Sequence, residues 1–158
     1  MLFRSLLAAM VPVEFGGGGA SLTDIATVCQ TLGRSCASTG MVYAMHQIQV
    51  ACLVRHGRHQ PFFRQFLTRL AEQELLLGSA TTEVGVGGDV RTSLCAVERT
   101  GDRFALTKQA PVISYGIESD ALMVTARRAP DAASNDQVIV LLTRDGYRLT
   151  QTGGWDAL

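Results

Sequence analysis

Three kinds of residue in this 158-residue chain could do chemistry: glycine-rich turns ahead of apolar runs, the hydroxyls beside them, and the cysteines and histidines. The first turn is Val11-Pro-Val-Glu-Phe-Gly-Gly-Gly-Gly-Ala-Ser-Leu22. Four glycines that open a helix could offer their amides to a phosphate. A Walker-type loop, however, needs Gly-Lys-Ser/Thr after the glycines, and no lysine lies near Gly19. A dinucleotide fingerprint needs a buried strand before it and an acidic residue about 20 positions on. Pro12 and Glu14 interrupt such a strand, and helices follow. The glycines therefore read as a turn allowing positive φ and close backbone approach. The second turn, Ala80-Thr-Thr-Glu-Val-Gly-Val-Gly-Gly-Asp-Val90, joins small residues, two hydroxyls and three glycines. Such a backbone can approach a flat ligand and hydrogen-bond its polar edge; a plain domain joint fits the same residues.

Cys29, Cys36, Cys52 and Cys95 form no CxxC pair, and His46, His56 and His59 stand at no metal-ligand spacing with them. No metal site is expected. The cysteines read as reduced thiols packed as small hydrophobes, which implies a reducing compartment and a cytoplasmic location. His46 titrates near neutrality, which suits acid/base work. Its place on an apolar segment favours a satisfied core or interface histidine instead.

The elements that must position these residues fall into two textures. From Ser21 to about Leu77 apolar residues recur at helical spacing. Ser21-Leu-Thr-Asp24 is a capping-box-like start, and Leu22, Ile25, Ala26, Cys29 and Leu32 make a stripe. Met41 to Val54 is apolar on nearly every face, as in a helix buried among others, and Gly57 ends it. A third helix is predicted from Pro61 through Phe66 and Leu70 toward Leu75. After Gly78 short β-type runs take over: Ser93–Val97, Arg103–Thr107, Pro111–Tyr115, Ala121–Ala126, Gln137–Thr143 and Tyr147–Thr152. Glu98 to Asp102 reads as a hairpin turn, Arg144-Asp-Gly146 as a tight turn, and Arg127 to Asp136 as a surface loop. Helices followed by strands indicate an α+β chain of two packed domains, 1–77 and 78–158.

Composition agrees with a packed protein: 47% of residues are hydrophobic and 18% charged. Fourteen basic residues balance fourteen acidic ones, so attraction to nucleic acid or an anionic membrane is not expected. The apolar part of Met1–Met10 is short, with no convincing cleavage site, and nothing reaches membrane-spanning length. That segment reads as the last turns of a helix, a chain opening in mid-element.

In this order the motifs resemble the acyl-CoA dehydrogenases. VPVEFGGGG stands where the family has VPxxYGGxG before a helix. Arg69 to Glu83 runs from a Leu-rich helix end into Thr82-Glu83 and then Gly85-Val-Gly-Gly-Asp89, where the family has TEPxxGSD. Gly154-Trp-Asp-Ala-Leu158 completes the series. The resemblance implies the end of an N-terminal helical domain plus most of a small antiparallel β-barrel or sandwich domain, without the C-terminal helical domain. It implies FAD and α,β-dehydrogenation of an acyl-CoA thioester in fatty acid metabolism. It also implies electron-transfer flavoprotein or a similar acceptor, and a homo-oligomer, tetrameric in the family.

Carried over residue by residue, the resemblance gives Thr81 and Thr82 the flavin pyrimidine edge. Ala110-Pro-Val-Ile-Ser-Tyr-Gly116 stands for the family's KxWITNG, with Ser114 as the hydroxyl and Val112 in place of the tryptophan. Gly88 takes the place of the motif's serine, which helps hold acyl-CoA. The catalytic glutamate belongs to the C-terminal domain, so no catalytic residue is expected here. Glu83 reads as part of a structural turn and Glu118 as a surface residue. Alone, the chain is expected to be inactive and to hold FAD weakly or not at all. The alternatives are a flavin monooxygenase or oxidase on the same fold, and a flavin-free interaction module.

Overall fold

A computed structural model describes residues 6–153; the Gly154–Leu158 motif lies outside them. Helix α1 spans Leu22–Ser35, α2 Ala37–Cys52 and α3 Pro61–Gln73. Strands follow at Leu77–Ala80 (β1), Glu98–Thr100 (β2), Arg103–Ala105 (β3), Ala121–Arg127 (β4) and Gln137–Thr143 (β5). The expected order of helices then strands holds.

Local chemistry sets the helix ends. Ser21 accepts from the Asp24 amide, and the Asp24 carboxylate takes the Ser21 amide in return, a complete capping box. Pro61 opens α3, where its missing N–H costs nothing. A π-turn, Leu53–Gly57, carries α2 toward α3. Less of the helical surface is covered than the apolar pattern predicts. In α1 only Ile25 is buried, and Met41 and Ile48 on α2 are exposed.

The main core joins both halves of the chain. Val11 and Phe15 from the first turn, Val50, Phe66, Leu67 and Leu70 from the helices, and Leu77, Ala121 and Met123 from the sheet pack together. Burying each large side chain contributes roughly 1.5–3 kcal/mol. The sheet order is β1-β4-β5, with β1 parallel and β5 antiparallel to β4. The sheet is thus mixed, where an antiparallel one was expected. Alternation along β4 sends Ala121 and Met123 to the helices, and Leu122 and Val124 to the opposite face with Ala80.

Three expected strands are absent among the described residues, each for a visible reason. Ser93–Val97 makes only an isolated bridge, Ala96 to Arg127, because the Leu94 and Cys95 amides go to the Glu83 carboxylate. Pro111–Tyr115 is a turn that ends with Tyr115 at φ 44°. Tyr147–Thr152 follows a 3-10 turn, Arg144–Gly146, and has no partner strand. The hairpin forms one step further on than the pattern suggests, from β2 and β3 around Gly101-Asp102. Of the N-terminal segment read as a helix end, residues 1–5 lie outside the described residues, and Leu6–Ala8 forms a 3-10 turn.

The four glycines fold back on their own upstream chain. Gly17, Gly18, Gly19 and Ala20 donate their amides to Pro12, Ala8, Val11 and Ala9 carbonyls, at 2.8–3.1 Å. Those amides are spent, so the turn has none of them to offer a phosphate. A Cβ at Gly17 would collide with the carbonyl and side chain of Val11. The obstacle is partly backbone, which no rotamer change relieves. Gly17→Ala is therefore expected to lower stability by about 1–3 kcal/mol or more, read as a lower midpoint in thermal unfolding by circular dichroism.

Candidate functional site

The two segments singled out in the sequence lie side by side. Thr81 and Thr82 follow the end of β1, which is fixed in register against β4. The Thr82 hydroxyl donates to the Val112 carbonyl at 2.8 Å, and the Val84 amide donates to the Gln109 carbonyl at 2.9 Å. Tyr115 adds a third tie, its hydroxyl donating to the Leu77 carbonyl at 3.1 Å. Burial pushes that phenol up to about 12, so it stays a donor at any physiological pH. Ser119 holds the turn from behind through the Tyr115 carbonyl.

Thr81, Thr82, Val112 and Ser114 thus come to one place. Thr81, Thr82 and Val112 are exposed and Ser114 is half-buried. Among the described residues the Ser114 hydroxyl makes no hydrogen bond, and Thr82 keeps its acceptor lone pairs. Hydroxyls with unspent capacity beside an exposed apolar side chain suit a planar ring with a polar edge. Gly88 lies in an open loop at φ 85°, where an added Cβ would meet nothing. That dihedral accounts for glycine there, since a serine would be strained at φ > 0.

Behind this edge stands a buried polar cluster that the sequence reading did not assemble. Glu83 and Lys108 form an ion pair at 3.2 Å with both side chains 5% exposed. Glu83 also accepts from the Ser93 hydroxyl at 2.7 Å and from the Leu94 and Cys95 amides at 3.1 and 2.6 Å. Lys108 donates to the Thr125 carbonyl and hydroxyl at 2.8 and 3.2 Å. Burial pushes the Glu83 carboxyl up, but its hydrogen bonds from Ser93, Leu94, Cys95 and Lys108 together hold it below the usual range. Glu83 is therefore the structural anchor expected of it, and Glu118 is exposed, also as expected. One signal for the cluster was present in the sequence: Lys108 is the only lysine in the chain.

His46 is fully buried and satisfied on both nitrogens. Its Nε2 donates to the Leu7 carbonyl at 2.8 Å, and its Nδ1 accepts the Leu77 amide at 3.0 Å. This fixes the neutral tautomer, and burial holds the ring below its ordinary value. Among the described residues no group of His, Cys, Asp and Glu could hold a metal, and no helix is long and apolar enough to cross a membrane.

Residues 4–74 match the family model described as acyl-CoA dehydrogenase, N-terminal domain. The chain is 28% identical over 141 residues to a cyclohex-1-ene-1-carbonyl-CoA dehydrogenase of Syntrophus aciditrophicus, covering 88% of this chain and 34% of the relative. An acyl-CoA dehydrogenase structure from Geobacillus kaustophilus superposes with a TM-score of 0.69 at 20% identity, over 87% of this chain and 37% of the other. FMN-bound TdsC from Paenibacillus sp. A11-2 gives 0.75 at 20% identity, over 89% and 35%. The chain is thus similar to the acyl-CoA dehydrogenases, in sequence to their N-terminal domain over residues 4–74 and in fold over most of its length. It spans about a third of the length of the curated relatives it matches.

Proposed function

We propose that the Thr81–Thr82 and Val112–Ser114 edge is the flavin-facing part of an FAD-dependent oxidoreductase acting on acyl-CoA thioesters. The observation that carries this reading is the 2.8 Å hydrogen bond from Thr82 to Val112, which joins the two segments into one hydroxyl-bearing edge. Bound flavin supplies the two-electron acceptor for α,β-dehydrogenation. The protein's part is to orient the ring's polar edge with the Thr81 and Ser114 hydroxyls and to place Val112 beside its apolar face. Donors preset at such an edge stabilise negative charge as it develops. The loop at Gly88 borders the acyl-CoA, and the base that removes the α-proton lies outside this chain. Transfer of electrons to electron-transfer flavoprotein or a similar acceptor completes the reading.

The test is anaerobic. The protein, produced with whatever its gene encodes on either side of these residues, is loaded with FAD and mixed with acyl-CoA thioesters. Bleaching of the flavin absorption band is the expected result. A protein that keeps flavin, is not bleached by acyl-CoA and consumes oxygen once its flavin is reduced would instead be a monooxygenase or oxidase. Val112 in the tryptophan's place and the likeness to FMN-bound TdsC favour that second reading over a flavin-free module. Thr82→Val removes one hydroxyl and frees the Val112 turn. Flavin affinity is expected to fall about five- to tenfold, the effect of one hydrogen bond, measured by quenching of flavin fluorescence.

A further inference from the structure

Cys95 is the one buried cysteine among the described residues, and its surroundings differ from those of a packed thiol. Its Sγ lies 3.9 Å from Lys108 Nζ and 3.5 Å from the Ser93 hydroxyl. Thiol and amine share one acceptor, the Thr125 carbonyl, at 3.4 Å from sulfur and 2.8 Å from nitrogen. A common anchor holds the two reactive atoms on the same side of β4, so little ordering remains to bring them together. Glu83, 3.2 Å from the same nitrogen, stands ready as a proton acceptor. Lys108 also lines an open cavity of about 880 Å³ on the sheet face away from the helices, wide enough to admit a small oxidant.

We propose that Cys95 and Lys108 are an oxidative modification site, joined under peroxide by a covalent Nζ–O–Sγ bridge. The first peroxide converts the thiol to a sulfenic acid and releases water. A second peroxide takes up the two hydrogens lost as nitrogen bonds to the sulfenic oxygen, releasing two further waters. Sulfur and nitrogen are the atoms oxidised and peroxide is reduced. The proton leaving the ammonium passes to Glu83, whose carboxylate loses its cationic partner in the same step. The bridge ties the 83–95 loop to the 106–109 segment, the two walls behind the Thr82–Val112 edge, and dithiol reductants reopen it.

Because Lys108 is the only lysine, the test has a single readout. The chain is treated with hydrogen peroxide, denatured, cut with a lysine-specific protease and weighed. The expected product is an uncut chain heavier by one oxygen less two hydrogens, restored to normal cleavage by dithiothreitol. It should persist when Cys29, Cys36 and Cys52 are all replaced by serine, and vanish in Cys95→Ser. Cys36 is exposed and offers peroxide an easier target, which the triple variant removes. Normal cleavage after Lys108 with oxygen added at Cys95 alone, or a link lacking the oxygen, overturns the proposal.

Discussion

Replacing Glu83 by alanine is expected to cost about 3–5 kcal/mol of stability, the usual effect of leaving a buried charge without its partner. Lys108 would keep the Thr125 oxygens and the Cys95 sulfur but no anion, and the Leu94 and Cys95 amides would lose their acceptor. Lys108→Met should cost less, because Glu83 keeps three donors from Ser93, Leu94 and Cys95. The double variant should be more stable than the sum of the two losses predicts, by more than about 1 kcal/mol, since each single change strands the other group. Urea denaturation of the four proteins measures this, and strict additivity would show that the pair is not coupled. Acid acts on the same anchor. The Glu83 carboxyl is held down in the folded state, so its contribution is complete above the unfolded carboxylate value. It is lost as pH falls through the lower folded value. The acid limb of the stability profile should flatten in Glu83→Gln.

His46→Ala is the second large effect. It leaves the Leu77 amide without its acceptor, takes one of its donors from the Leu7 carbonyl, which still accepts from Gln47, and opens a void where the Leu6–Ala8 turn, α2 and β1 meet. A loss of about 3–5 kcal/mol follows from the void and the stranded Leu77 amide together. His46→Gln keeps a donor and an acceptor and should recover part of it. The sign with pH is set by burial, which holds the folded imidazole below its ordinary 6.5. The unfolded chain therefore binds more protons in the window just below that value. Stability contributed by His46 is complete above pH 6.5 and is lost as pH falls toward the folded value. A pH series of urea midpoints between about 5 and 7.5 should slope in the parent and be flatter in His46→Gln. Equal slopes would mean that the imidazole charges freely in the folded state.

Much of the helical half is legible along the chain because its signals are local. The Ser21–Asp24 capping box, Pro61 at the head of α3 and the apolar spacing between them depend on residues within a turn of one another. β4 and β5 were also legible, as β-type runs separated by turn and loop residues. The strands expected at Ser93, Pro111 and Tyr147 do not form. A β-type run becomes a strand only when a neighbour supplies its hydrogen bonds. At Ser93–Val97 a carboxylate ten or more residues away supplies them instead.

The candidate site divides in the same way. Its residue types were named from the sequence, through a resemblance carried by short motifs, and the structure sets the Thr82 hydroxyl against the Val112 carbonyl. The pairing of Glu83 with Lys108 and of His46 with Leu7 and Leu77 spans separations of 25 to 39 residues. No periodicity reports such a pairing. By itself the sequence determined the starts of α1 and α3, the two longest strands and the hydroxyl-bearing segments, all set by neighbours along the chain. Only the tertiary structure decided which buried polar groups satisfy one another. Burial makes an unpaired group costly, and the partner that relieves the cost comes from whichever element packs against it.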